Sequence, residues 1–480
     1  MQSTAEPLNF RTRLAYGTGA TAEGVKTAAF NTFVLYYYNQ VLEVSGALTG
    51  TALFIALAVD AVSDPLVGAI SDRHRSRWGR RHPFIAASAL PLALMIYALF
   101  NPPEALSEQG LFLWLTATAV GARIGLTLFH VPHLALGAEL ARDYDERTRL
   151  FGVVTLMSLG GAFGTALIGY SVFFPTTEEH AHGLLNPDAY PAFAEAAAIA
   201  IFLSIALCTF GTVHRIPTLT VVPSETTRLG LRGFLAELGS VFANPSYRSI
   251  FFGLLLGTIV VGVEQAFQTY MGVHFWGLST EELRLPVLAV IAGLPFALVL
   301  APRMTRRFDK RGALVGSAAI TIVVINTPVL LRLSGALPPN GDPLILQLVV
   351  TQAFVAGVFG PVILVTINSM FADIADEQEL LLDRRQEGVI YAARSFSLKA
   401  AGALGAFLGG VGLDLIAFPR GAAPGAVADE VIFRLGLIYG PATSTFTFVG
   451  LLLYLGYRLD RARVVEIQGE LVQRVRASTS

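Results

Sequence analysis

The sequence predicts an all-α integral membrane protein with twelve transmembrane helices in two six-helix halves. Three observations support this. Charged residues make up only 14% of the chain and hydrophobic residues 53%, whereas a soluble domain carries roughly 25% charged residues. Apolar runs that can cross a bilayer, which takes ~20 residues each, recur along the whole chain. Basic residues collect in alternate connections between those runs, a bias that sets orientation in a membrane.

The runs place spans at 14–40, 46–71, 83–101, 110–138, 150–174, 191–213, 249–276, 285–302, 312–333, 343–371, 388–416 and 433–457. Their spacing breaks once, at 214–248, where Pro217, Pro223, several Arg and the amphipathic stretch GFLAELGSVF intervene. This divides the chain into a six-helix bundle at 1–213, a cytoplasmic linker at 214–248, and a second six-helix bundle with a cytoplasmic tail at 249–480. The connection after the second span, SDRHRSRWGRRHP, carries five Arg. The N-terminus, the linker, RMTRRFDKR and YRLDRARVV are also basic, while 102–109 and 175–190 hold no Lys or Arg. The expectation is a multi-pass plasma (inner) membrane protein with both termini cytoplasmic. Residues 1–13 are polar and end in Arg11 and Arg13, so no cleavable signal is expected before the first span. The lone Cys208 lies in an apolar run, which excludes a disulfide framework and a Cys-based metal site.

A weak internal repeat supports the division. Ala138-Glu139-Leu140-Ala141 leaves the fourth span and Ala372-Asp373-Ile374-Ala375 leaves the tenth. SDRHRSRWGRR follows the second span and RMTRRFDKRG the eighth. Parallel six-helix repeats around a central site are the plan of major facilitator transporters.

The chemistry lies in charges placed within apolar runs. Asp60 and Asp64 sit inside the second span, in AVDAVSDPLVGAISD. Each carboxylate near the bilayer centre costs at least ~2.5 kcal/mol. At i and i+4 both project from one face of the helix, where they repel. Such a pair needs protons, a basic partner or a hard monovalent cation such as Na+. Of the 34 Lys and Arg residues only three are lysine, and two of those, Lys26 and Lys399, fall inside spans. Lys399 is the natural counter-charge when the cation is absent. Glu23, Arg123, His130, Glu264 and Arg394 also fall within apolar runs, and intramembrane ionisable groups usually face a cavity and pair with one another. Glu23 and Lys26, three apart on one helix, could satisfy each other. Glycines thin three spans: Gly17, Gly19 and Gly24 in the first, Gly160, Gly161 and Gly164 in the fifth, and Gly402, Gly405, Gly409 and Gly410 in the eleventh. Small residues allow close helix approach.

VDAVSDPLVGAISDRHRSRWGRRHPF resembles the second span and following loop of the glycoside–pentoside–hexuronide:cation symporters, the melibiose permease-like group of the major facilitator superfamily. The spacing from Asp72-Arg73 to Gly79-Arg80-Arg81 is typical of that group. MFADIADEQELLLDRRQEGVIYAARSFSLKAAGA (370–403) looks like its tenth-to-eleventh segment, and AYGTGA, YYYNQV and YRLDRARVVEIQGEL also fit. The resemblance implies a Na+, Li+ or H+ site at Asp60, Ser63, Asp64 and Thr127, with Lys399 as the coupling lysine. No further cofactor is implied. Arg394, His130, Glu23, Lys26, Arg123 and Glu264 are the remaining candidates for substrate binding or coupling. The sugar-binding residues of the melibiose-type members do not carry over. Gly24 stands where they have an acidic residue, His130 where they have an aspartate, and Leu134 where they have a tryptophan.

The function expected is secondary active symport of a glycoside- or sugar-type solute by alternating access, with no enzyme activity. A lysolipid or an organic anion is the alternative substrate, since His130-Val131-Pro132 resembles a lysolipid-symporter motif and Arg123, His130 and Arg394 suit a carboxylate. Asp72, Arg73, Arg80, Arg81, Asp373, Asp376, Arg385 and Glu387 are expected to clamp the cytoplasmic side through ion pairs. The partners expected are a small-molecule substrate, a monovalent cation and the lipid bilayer, with no nucleic acid, and the chain is expected to work as a monomer. A membrane prenyltransferase-like enzyme is the distant alternative. Its aspartate motifs would lie at helix ends beside water, whereas Asp60 and Asp64 lie within a span.

Overall fold

The computed structural model describes residues 8–141, 143–219, 231–382 and 387–479. All regular structure among them is helical. Side-chain caps mark several starts: Asn9, Ser45, Ser107, Asp143 and Asn244 each accept a backbone N–H of the first turn, satisfying donors that a helix N-terminus leaves free.

The first span runs as Phe10–Thr18 and Ala20–Ala28 and ends in two π-helical turns, Ala29–Val34 and Tyr37–Val41. The second to fourth are Gly46–Arg73, His82–Leu99 and Glu108–Leu140. The fifth, Tyr144–Ile168, continues through the π-turn Gly169–Phe173, and the sixth is Ala189–Thr212. The amphipathic stretch of the linker forms the short helix Leu231–Ala243, and residues 220–230 of that linker lie outside the described residues. The seventh span, Pro245–Tyr270, ends in the π-turn Met271–Phe275. The eighth and ninth follow as Thr280–Leu333, broken at Asp309, where φ is 60° and ψ 170°. The tenth is Pro343–Leu382 and the eleventh Glu387–Leu415. The twelfth joins Asp429–Leu437, Ile438–Ala442 and Thr443–Tyr454, and a final helix covers Arg461–Thr479.

Among the described residues, ten helices are individually long and apolar enough to cross a membrane. One of them, Thr280–Leu333, makes two passes about its break, and the divided first span completes the twelve. Two ends differ most from the sequence expectation. The eighth span continues to the Asp309 break rather than stopping at 302, and the tenth continues to Leu382 rather than 371. Hydropathy registers only the apolar part of a helix, and backbone hydrogen bonding carries the helix on into polar sequence.

Glycines set two seams. A Cβ on Gly24 would lie 2.1 Å from the Ser158 carbonyl oxygen, so the first and fifth spans touch backbone to backbone. A Cβ on Gly410 would lie 2.1 Å from the Gly46 carbonyl oxygen, which seats the eleventh span on the second. Gly160, Gly164 and Gly402 have open space instead. The larger apolar cluster mixes both halves, with Phe33 and Phe174 alongside Tyr270 and Phe275. A second cluster, around Tyr247, Phe371 and Tyr457, belongs to the C-terminal half alone.

Candidate functional site

The buried charges converge where the first, second, fourth and eleventh spans meet. Asp60 and Asp64 do not act as a pair here, because each has its own cation. The Arg123 guanidinium donates to Asp60 Oδ2 at 3.1 Å, and both side chains are largely buried. Lys399 pairs with Asp64 Oδ2. Thr127 donates to Asp64 Oδ1 at 2.8 Å and lies 3.1 Å from Ser63 Oγ. Asp60, Ser63, Asp64 and Thr127 therefore form one oxygen cluster, with a basic group at each end.

Lys26 is 3% exposed. Its ammonium sits 4.8 Å from the Phe30 ring centroid, and the Arg123 guanidinium sits 5.3 Å from the same ring. Electron-rich ring faces stabilise such cations by about 0.5–2 kcal/mol. The sequence left Glu23 and Lys26 free to satisfy each other, and the structure pairs them otherwise. Glu23 Oε2 reaches His130 Nδ1 at 3.3 Å across to the fourth span, while Lys26 lies against Phe30, one helical turn on.

Arg394 and Glu264 stand apart from this cluster. Arg394 donates to Asn368 of the tenth span, lies over Phe371, and keeps a buried Nε without a partner. Glu264, on the seventh span, has no ion-pair partner among the described residues.

The residues expected to clamp one face pair within each half. Arg81 bonds Ser71, Asp72 and Glu139 at 2.8, 2.5 and 3.1 Å, and Arg80 bonds Glu139 at 2.9 Å. Lys310 and Tyr457 both donate to Asp373, at 2.6 and 2.8 Å, and Gln468 donates to Asp376. Arg73 is exposed. Arg385 and the side chain of Glu387 lie outside the described residues. In this structure the residues expected to form the clamp make one ion-pair cluster in each half. The reason lies in the repeat: the basic loop after the second span folds onto Glu139, and the one after the eighth folds onto Asp373. Tyr457, just past the twelfth span, has its phenol pKa pushed up by burial and by the Asp373 charge.

Sequence reasoning missed a seam at the opposite face, where the halves meet. Asp414 accepts from the Gly46 and Ala47 N–H groups at 2.9 and 2.8 Å. Tyr270 donates to Asn39 Oδ1 at 2.8 Å, Thr269 donates to the Thr32 carbonyl at 3.1 Å, and Tyr36 lies 3.3 Å from His274 Nε2. Arg420 pairs with Glu108 at 3.0 Å. His182 bridges to Thr280 and the Leu278 carbonyl, with burial lowering its pKa from the usual histidine range. The polar run YYYNQ inside an apolar span was the available signal. Between the described residues, the cross-half bonds lie at this face and at Lys399–Asp64, so the molecule is closed away from its termini.

Twelve spans in two halves, with paired charges at their junction, define a membrane transporter of the major facilitator fold. The model of the family "MFS/sugar transport protein" matches residues 15–461, and the chain belongs to that family. It is 25% identical to an uncharacterized symporter of Synechocystis sp., covering 98% of each chain. It is 22% identical to the isoprimeverose transporter of Lactiplantibacillus pentosus, covering 96% of this chain and 92% of that one. A bacterial homologue of the human lysosomal transporter Spinster, solved inward-facing and unoccupied, superposes with a TM-score of 0.61. That match has 15% identity and covers 93% of this chain and 96% of the other. The family and these relatives are transporters, not enzymes.

Proposed function

We propose that this chain carries a glycoside- or sugar-type solute in symport with a monovalent cation by alternating access, the cation being Na+, Li+ or H+ taken at the Asp60–Asp64 locus. The family description and the isoprimeverose transporter among the relatives support the solute class. One observation carries the coupling: Asp64 of the N-terminal half holds Lys399 of the C-terminal half. A cation arriving at Asp64 competes with the lysine, so binding loosens a bond between the halves. Coupling requires such a differential effect on the two conformations. The basic connections support a plasma (inner) membrane setting with both termini cytoplasmic. On that orientation the structure is the inward-facing state, closed outside by the Asp414, Tyr270 and Tyr36 contacts.

The two halves as bounded above, with the 214–248 linker between them, are the bodies that rock. The Arg80–Arg81–Glu139 and Lys310–Asp373–Tyr457 clusters brace each of them at the cytoplasmic end. A second solute class, an organic anion, is favoured by one observation: among the described residues, the hydrogen-bond partner of Arg394 is the neutral Asn368, and its buried Nε has none.

The test is uptake of labelled glycosides, pentosides, glucuronides and lysolipids into proteoliposomes, under an imposed Na+ gradient and, separately, a pH gradient. Accumulation of one class is expected, with loss of accumulation in Asp64→Asn. Undiminished accumulation in both Asp60→Asn and Asp64→Asn would refute the cation assignment.

A further inference from the structure

We propose that His182 is a proton-operated latch between the halves: its neutral imidazole holds the face away from the termini closed, and its protonation releases that face, so acid there favours opening. The inference rests on the alternating-access reading of the two halves and is independent of the Asp60–Asp64 locus.

His182 belongs to the connection between the fifth and sixth spans, just before the short turn Gly183–Leu185. It is 4% exposed and lies against Thr280, the fully buried first residue of the eighth span in the other half. Three hydrogen bonds tie the halves there. His182 Nε2 lies 3.2 Å from the Leu278 carbonyl oxygen, and its Nδ1 lies 3.2 Å from Thr280 Oγ1. The Gly183 N–H donates to the same Oγ1 at 3.1 Å.

Donors and acceptors assign the ring's protonation. A carbonyl only accepts, so Nε2 carries a hydrogen. Thr280 Oγ1 accepts from Gly183 and offers its one hydrogen to the lone pair of Nδ1. A neutral ring thus satisfies the whole set. An imidazolium carries a hydrogen on both nitrogens, so the Thr280 hydroxyl must turn its own hydrogen away inside a buried contact. A buried donor left unpaired is costly. The positive charge would also sit at the N-terminus of the Thr280–Leu333 helix, the positive end of its dipole.

The other titratable groups of the elements packed here do not reverse this. Glu281 favours the imidazolium, but it is exposed and already accepts from the Thr176 N–H and hydroxyl at 2.8 and 2.9 Å. Glu282 accepts from the Ser279 N–H. His274, at the end of the seventh span, opposes a second positive charge beside it. Tyr190 of the sixth span donates to the Leu184 carbonyl. On the same connection Glu178 and Glu179 are exposed and His180 is half-buried. Burial outweighs Glu281 and holds the His182 pKa below the usual histidine range. Opening the seam would take Leu278 and Thr280 away and return the ring to ~6.5. The neutral ring's contribution to closure is therefore whole above that value and is lost as the pH falls through it. At pH 5 one such histidine can raise the open-to-closed ratio by at most ~30-fold.

The test puts spin labels on Glu104→Cys and Ser334→Cys, exposed positions in opposite halves at this face, in lipid nanodiscs. The chain's own Cys208 is buried. Double electron–electron resonance reads the shares of short, closed and long, open distances. From pH 8 to pH 5 the labelled but otherwise native protein should gain open state several-fold, within that limit. His182→Gln keeps an N–H for the Leu278 carbonyl and cannot titrate, so it should show no such rise. Where that variant fails to fold, Thr280→Ala tests the same bonds: it should be more open at pH 8 and rise less on acidification. A rise that persists in His182→Gln, or is unaltered in Thr280→Ala, would overturn the latch. A flat ratio from pH 8 to pH 5, with Asp414→Ala still opening the seam, would overturn the latch and leave the rocking of the halves standing. A long distance absent from every sample would overturn the rocking and the latch with it.

Discussion

Asp414 should govern how often the face away from the termini opens. Its carboxylate accepts from the N–H groups of Gly46 and Ala47, the first two residues of the second span. The eleventh span thus caps the helix N-terminus of the other half, beside the cap that Ser45 supplies locally. The bond exists only while the halves are closed at this face, so Asp414→Ala raises the free energy of the closed state alone. Loss of an N-terminal capping acceptor costs about 1 kcal/mol, and loss of a negative charge at the positive end of a helix adds about 0.3–1 kcal/mol at an exposed site. Asp414 is exposed, so the total is taken as about 1–2 kcal/mol, or roughly a 5- to 30-fold shift in population.

Thr269 provides the readout. It is buried at the seam and donates across it to the Thr32 carbonyl. A Thr269→Cys reporter in lipid nanodiscs should react with a hydrophilic maleimide only when the seam opens. The chain's own Cys208 is buried and keeps the background low. In that background Asp414→Ala should speed labelling roughly 5- to 30-fold, as the shifted population predicts. Arg434→Ala, which removes an exposed pair with Glu430 within one helix, should leave the rate unchanged. Equal labelling rates with and without Asp414 would refute the claim that this seam holds the halves together.

Two further outcomes concern the packing that does not move. Asp373→Ala leaves Lys310 and the buried Tyr457 hydroxyl without their acceptor. This should destabilise the C-terminal half by about 3 kcal/mol, the low end for a broken buried pair because Lys310 is partly exposed, and an unchanged thermal melt would contradict it. Gly24→Ala puts a Cβ against the Ser158 carbonyl and the Ala162 nitrogen, both backbone atoms, and should cost about 1–3 kcal/mol by overpacking. Gly160→Ala, with open space around it, should melt like the wild type.

The fold was legible because span length and basic asymmetry are properties of the chain itself. The repeat was also legible, and it carried more than expected. Glu139 and Asp373, found as matching positions in the two halves, are the residues onto which their own basic loops fold. That each cluster closes within its own half was not legible, because a motif records which charges occur and not which way a loop turns. The Asp60–Asp64 locus stood out as carboxylates inside an apolar helix. Lys399 was legible as a counter-charge, but that Arg123 takes Asp60 and leaves Lys399 to Asp64 was not, since only the packing of the second span against the fourth and eleventh sorts the pairs. The seam away from the termini was hidden for a related reason. Asp414, Asn39 and Tyr270 lie near span ends, where polar residues are unremarkable, and only their pairing across the halves gives them a role.

The contacts therefore fall into two groups by what rocking does to them. Arg123–Asp60, Glu23–His130, Arg80–Arg81–Glu139 and Lys310–Asp373–Tyr457 each lie within one half, so both conformations keep them and they cancel from the conformational equilibrium. Lys399–Asp64, Asp414 with the second span, and the Tyr270–Asn39 and Thr269–Thr32 bonds lie across the halves. Only this second group can convert cation binding into motion, because a ligand shifts an equilibrium only through bonds that differ between its two ends. Of these, Lys399–Asp64 is the one formed by two opposite charges inside the spans. A cation that neutralises Asp64 thus acts directly on the cross-half bonding, whereas one held at Asp60 would disturb a pair that both states share.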